Sequence, residues 1–468
     1  MNFNKKNTNF YNSLRHIISL NINNNYNDNW DTNSRGVEPK IENVTFESNE
    51  FKISLTYFLC LFRNFKSFFS LTKKQIIEHI QNINKVFDIF KFTFRAIKSV
   101  LINLMKYILS VLLGFKQGTK HFLKAIKANI IILINVLTNK LEIIYYLLIP
   151  NGKINWILNR LKILVNFKDL EIFYDTLDND ISKELLLELI AYRLLGYKKV
   201  KLKRFFLKYY EYQDIIQNLP EEGNRYLLDW KLNDGTDVHL RRISLKSVGF
   251  DINLYCTIGG GAITYLQEQY SYFSAKFNCE ADDGDVVIDA GACWGDTPLY
   301  FASKVGKKGK VYAFEFIPSN LKVLKENLRI NQHKHKNVEI IDRPLWSKSN
   351  VNLYYVDWGP GSRVSLKKLR ADFEENKVKT LSIDDFVEKH KIKKVDFIKM
   401  DIEGAEIHAL NGAINTLKRY KPKLALSIYH NFSDFSEIPK LLRNLNIDYK
   451  YVIDHHTIYE NETVLFCK

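Results

Sequence analysis

The stretch Val286-Val287-Ile288-Asp289-Ala290-Gly291-Ala292-Cys293-Trp294-Gly295-Asp296-Thr297 decides the reading of this chain. An apolar run ends in an acid, and Gly-x-x-x-Gly then opens a helix. This is the Rossmann-type arrangement for holding a nucleoside, in which glycines let backbone approach a ligand at the carboxyl end of a sheet. The spacing is not G-x-G-x-x-G, and no G-x-x-x-x-G-K-[ST] occurs, so a pyrophosphate or triphosphate site is disfavoured. A cofactor with a nucleoside but no phosphate fits the loop.

Downstream runs extend the pattern. Val311-Tyr312-Ala313-Phe314-Glu315 is a second strand, and its terminal Glu315 follows Gly291 by 24 residues. An acid so placed can accept both hydroxyls of a ribose. Val338-Glu339-Ile340-Ile341-Asp342 is a third strand, whose Asp342, with Leu345 and Trp346, would line an adenine. The fourth leads into Met400-Asp401-Ile402-Glu403-Gly404-Ala405-Glu406. Three carboxylates this close repel one another, a costly cluster to place beside a cleft without a use. They could face a sulfonium, activate a hydroxyl or hold a divalent metal through oxygens, while Glu406 alone could simply solvate the next helix. The fifth strand ends in Ser427-Ile428-Tyr429-His430, which brings a histidine, the side chain best tuned for base work near neutral pH, to the same edge.

Short Val/Ile-rich runs alternating with helical stretches (Ser319 to Ile330, Gly404 to Arg419) imply a mostly parallel sheet covered on both faces. Thr463 to Phe466 closes the series. Upstream, Ile181 to Leu195 reads as a helix, with Asp180 able to cap its first turn and Gly196 just past its end.

The remaining sequence has another texture. The chain has 468 residues, 46% of them hydrophobic and 26% charged, enough for two or three domains and unlike a disordered or fibrous protein. The net charge of +16 concentrates in residues 51 to 150, where fifteen Lys or Arg stand against three acids. Large aliphatics and aromatics interleave with that charge, and no nucleic-acid module is recognisable, so contact with a membrane surface or helix packing is expected rather than nucleic acid. Uncharged runs such as Ala128 to Asn139 are too short to span a bilayer, and Lys106 interrupts the nearest longer one. The five cysteines form no C-x-x-C, which favours a reducing, cytoplasmic setting. No signal-peptide pattern opens the sequence. The expected organisation is an Asn-rich tail over 1–50, a basic amphipathic helical region over 51–165, a mixed adapter segment over 166–280 and a catalytic domain over 281–468.

The residues quoted resemble the FkbM family of S-adenosylmethionine-dependent methyltransferases, in the branch associated with surface-polysaccharide and other glycan pathways. The resemblance rests on Asp289 to Thr297, Phe314-Glu-Phe-Ile-Pro-Ser-Asn320, Phe397 to Glu406, Lys421 to His430 and Glu462-Thr-Val-Leu-Phe466. It runs from about residue 180 to the end and finds no counterpart for the first 170. It implies a seven-stranded methyltransferase sheet with an antiparallel last strand, and S-adenosylmethionine lying across Asp289, Gly291, Trp294, Gly295 and Asp296 with Glu315 on its ribose. It also implies O-methylation, here of a small-molecule or glycan acceptor. For the base, His430 is expected first and Asp401 second. Asp401 and Glu403 could instead hold a divalent ion, and the metal question stays open at this point. The rival readings are a nucleic-acid or other small-molecule methyltransferase, and an inert scaffold that docks on a membrane or partner.

Overall fold

The computed structural model describes residues 13–14, 16–17 and 166–468, except 198–199, 203–205, 232–236, 334–335 and 369–375. The expected tail and basic helical region therefore lie almost wholly outside the described residues. The described residues belong to one compact unit. Among the described residues, no helix is long and apolar enough to cross a membrane.

The main sheet has seven strands: β1 Val286–Ala290, β2 Lys310–Phe314, β3 Val338–Ile341, β4 Phe397–Met400, β5 Lys423–Ser427, β6 Tyr451–His455 and β7 Thr463–Cys467. Their order is β6-β7-β5-β4-β1-β2-β3. β1 to β5 pair in parallel, and β7 runs antiparallel between β5 and β6. The strand order reverses on either side of β1 and β4. A crevice must open there at the carboxyl ends, because successive connections leave toward opposite faces.

Period-two alternation sorts the strand side chains into two layers. Ile288, Ile398, Leu424, Leu426 and Ile453 join one apolar cluster, and Val287, Phe397, Ala425, Val452 and Phe466 join the other. Burial on both faces explains why the strands read as unbroken apolar runs. Helix α1, Asp180–Leu195, packs on the first layer, and helix α2, Asp296–Val305, on the second.

Asn179, not Asp180, caps α1, accepting from the Ser182 amide at 2.7 Å, and Gly196 ends the helix with φ +82°. Ser182 then exchanges hydrogen bonds of 3.0 and 3.1 Å with Ile453, which ties α1 to β6. The helix expected over Gly404 to Arg419 is two helices, Glu406–Asn411 and Ile414–Tyr420. Gly412 sits at the break, where a Cβ would lie 2.2 Å from the Trp346 carbonyl oxygen.

Candidate active site

β1 and β4 build the floor of the crevice. Lys399, one residue before the end of β4 and fully buried, reaches across to β1. Its Nζ lies 3.0 Å from Asp289 Oδ1 and donates to the Ala290 and Gly291 carbonyls at 3.2 and 2.6 Å. Thr297, in the first turn of α2, donates to the other Asp289 oxygen at 2.7 Å. Burial works against the charge on Lys399, but Asp289 and Asp401 outweigh it and hold its pKa above the ordinary lysine value. The ammonium thus fixes the start of the turn, and Thr297 ties its far end to the same carboxylate.

The turn itself is left-handed at Gly291 (φ +86°), Cys293 (φ +45°) and Gly295 (φ +90°). A cavity of about 400 Å³ lies above it. Gly291, Cys293, Asp296, Glu315, Asn320 and Leu345 line one part; Tyr270, Asp401, Glu403, Tyr429 and Glu462 line another.

Several sequence expectations change here. Asp289 does not line the cavity, because its carboxylate is spent on Lys399 and Thr297; it positions the turn. Trp294 packs against Leu228, Leu240, Tyr255 and Val323, and its carbonyl accepts from Asn327 at 2.9 Å, so its ring does not line the cavity either. Gly295 caps α2 and backs onto Leu324 of helix α3, Pro318–Ile330. Asp342 is exposed and outside the cavity, whereas the next residues, Arg343, Pro344 and Leu345, line it. Trp346 is buried and stacks on His408 at 3.9 Å.

Gly291, Asp296 and Glu315 do meet at the cavity. Asp296 accepts from Thr264 Oγ1 at 3.0 Å, and burial raises its pKa. Glu315 Oε1 accepts from the Phe316 and Ile317 amides at 2.7 and 2.8 Å, and Oε2 from Asn320 Nδ2 at 3.2 Å. Burial pushes this carboxyl up to about 7, although those donors pull it down. A buried acid with a raised pKa costs nothing while protonated. Its cost grows as pH climbs from the ordinary carboxylate value through about 7, so it lowers stability on the alkaline side. Glu315→Gln should therefore gain up to roughly 3 kcal/mol above neutral pH and nothing in acid. Tm measured across pH checks this, and a pH-independent difference from wild type would refute it.

Asp401 sits at the centre of the other part. Tyr270 donates to its Oδ2 at 2.8 Å, and Tyr429 reaches both of its oxygens at 3.2 and 3.3 Å. Burial raises its pKa, but His430 and Lys399 prevail and leave it below the ordinary value. His430 is not where a base would need to be. It stands behind the acids, outside the cavity lining, with Nε2 3.3 Å from Asp401 and 3.6 Å from Glu403 and Nδ1 3.0 Å from Glu406. Burial opposes its charge, yet Glu403, Glu406 and Asp401 push the ring up to about 11. An imidazolium at neutral pH has no lone pair for a hydroxyl proton, so the expectation of His430 as base is corrected: it is the counter-ion of the acidic run. Asp401, Glu406 and His430 bring one ligating atom each within 4.8 Å of one another. These three could hold a metal ion only if the ring gave up its proton, since a histidine ligates through a deprotonated nitrogen.

Residues 279–451 match the family model described as the methyltransferase FkbM domain. This segment of the chain is an FkbM methyltransferase domain. Among solved structures, the chain is similar to the methyltransferase FkbM from Methylobacillus flagellatus at 18% identity and TM-score 0.42, covering 66% of this chain and 60% of that one. It is also similar to Aeropyrum pernix fibrillarin in complex with S-adenosyl-L-methionine, at 13% identity and TM-score 0.31, covering 54% and 98%. The match thus spans about three fifths of the length of the Methylobacillus protein. No curated protein matches.

Sequence reasoning missed several residues that line the site of the FkbM domain. Gly259 and Gly260 belong to the short helix Ile258–Gly261 capped by Thr257, and both line the cavity. Tyr270 and Gln269 arrive from the segment before β1, and Glu462 from just before β7.

Proposed function

We propose that the FkbM domain binds S-adenosyl-L-methionine in this cavity and transfers a methyl group to a hydroxyl of a sugar or glycan-related acceptor. One observation carries the reading: the glycine turn and the Glu315 carboxylate open onto the same hollow as Asp401, Glu403 and Glu462. The residues suit the cofactor. Glu315 lines the hollow at the end of β2, where an acid can face a ribose diol. Phe314, Ile317 and Leu345 offer apolar walls for a base, and the Asp401 and Glu403 carboxylates give a cationic sulfonium the opposite charge.

The bound cofactor supplies an electrophilic methyl group. The protein's own work is to hold the acceptor oxygen near it, and well-oriented approach is worth on the order of 7–11 kcal/mol in favourable cases. The Tyr270 and Tyr429 hydroxyls fix the Asp401 carboxylate, so the negative field facing the cavity stays in place. A nucleic-acid base methyltransferase is less well supported, because Asp401-Ile402-Glu403-Gly404 replaces the Asn/Asp-Pro-Pro-aromatic loop that positions an exocyclic amine.

Calorimetry with S-adenosyl-L-methionine should show a one-to-one complex. Methyl-labelled cofactor offered with sugars, lipid-linked glycans and oligonucleotides should label a hydroxylated carbohydrate. Absence of cofactor binding would sink the whole reading, and labelling of oligonucleotides would redirect it.

A further inference from the structure

Glu462 precedes β7, the strand that runs against its neighbours. Because β7 is antiparallel to β5, its first residues, not its last, meet the carboxyl edge: Val464 pairs with Ser427, and the Ile428 amide donates to the Thr463 carbonyl at 3.0 Å. This direction delivers Glu462 to the cavity beside Asp401 and Tyr429. Its backbone is left-handed, with φ +63°, and its carbonyl accepts from the His456 amide at 3.1 Å. Such a conformation costs a non-glycine residue about 1–3 kcal/mol and persists only where the surroundings impose it. The side chain is also oriented: Oε2 accepts from Gln269 Nε2 at 2.5 Å and Oε1 from Asn461 Nδ2 at 3.2 Å.

We propose that Glu462 is the general base that takes the proton of the acceptor hydroxyl, a role that rests on the O-methylation reading above. As the acceptor O–H bond breaks, its electron pair forms the new O–CH3 bond. The C–S pair leaves with sulfur as a neutral thioether, and the proton stays on Glu462 until water removes it.

The comparison with Asp401 decides between the two acids. Asp401 accepts from two tyrosine hydroxyls, faces an imidazolium and is held below its ordinary pKa, all of which weaken it as a base. Glu462 meets only neutral amide donors. Burial, then Asp401, push it up to about 7; Gln269 and His430 pull it down, and Glu403 adds to the rise. Tyr270 and Tyr429 also feel its charge, but both stay neutral because burial raises their own pKa values well above the ordinary one. A carboxyl titrating near neutrality combines an available lone pair with real proton affinity.

Two measurements on the full chain test this. The infrared difference spectrum between wild type and Glu462→Gln should show a carboxylic-acid band that grows as pH falls through about 7; a spectrum silent in that range overturns the proposal. Glu462→Gln should bind S-adenosyl-L-methionine like wild type but lose about 10²–10⁴-fold in kcat, together with the acid limb of the pH profile. Wild-type kcat and an intact limb in that variant would overturn the assignment. Should the Gln variant fail to fold, Glu462→Asp must keep the limb with a lowered kcat; an unchanged kcat there also overturns it. A wild-type chain that binds the cofactor but methylates no hydroxyl brings down the O-methylation reading itself, an outcome distinct from an active Gln variant.

Discussion

Gly291→Ala is expected to lose cofactor binding and a large part of the domain's stability. A Cβ at this position would lie 1.8 Å from the Asp401 carbonyl oxygen, a backbone atom with no rotamer to give, and 3.3 Å from the Ile402 side chain. The residue also holds φ +86°. Left-handed strain costs a residue with a Cβ about 1–3 kcal/mol, and forcing an atom into a packed contact costs a further 1–3 kcal/mol. The two loops cannot separate freely, because the Asp401 amide donates to the Ala290 carbonyl at 2.9 Å. Gly295→Ala is the internal control. It carries similar strain at φ +90°, but its Cβ would meet Leu324 at an ordinary 3.4 Å. Denaturant midpoints should rank wild type above Gly295→Ala and Gly295→Ala above Gly291→Ala, and calorimetry should find the cofactor only with the first two. A Gly291→Ala chain as stable as Gly295→Ala would refute the close approach of the loops.

The parts of this architecture visible in the sequence share one physical property. β1, β2 and β4 are largely buried on both faces, so they read as mainly apolar runs whose ends are marked by Asp289, Glu315 and Asp401. Parallel strands bring their carboxyl ends to one edge, and reading the strand ends therefore brings Glu315 and Asp401 to the cavity. The same rule hides Glu462, which reaches that edge from the start of an antiparallel strand. It also misleads at Asp342, because ending a strand does not say whether that residue or the ones after it reach the cavity. His430 shows a different limit. Its position at the end of β5 was legible, but its protonation depends on three acids converging on one ring, and Glu403 does so from a left-handed backbone (φ +56°) that no pattern announces. Asp289 was read as a ligand contact because its partner, Lys399, looks in the sequence like a polar break in an apolar strand.

That lysine carries the other large prediction. Lys399→Met should cost roughly 3–5 kcal/mol, because it leaves the fully buried Asp289 carboxylate with Thr297 as its remaining partner. Removing both charges in Asp289→Asn/Lys399→Met should recover most of the loss, because a buried ion pair gains little over neutral groups that fill the same space. Function should not return with stability. Lys399 also gathers the Ala290 and Gly291 carbonyls, and a methionine cannot donate to either, so the double variant should fold while its glycine turn relaxes and its cofactor affinity stays low. Chemical denaturation, with calorimetry on each variant, separates the two effects. Equal instability in the single and double variants would mean that packing volume, not the buried charge, holds β1 against β4. Full cofactor affinity in the double variant would mean that the turn is set by its glycines and owes nothing to the ammonium beneath it.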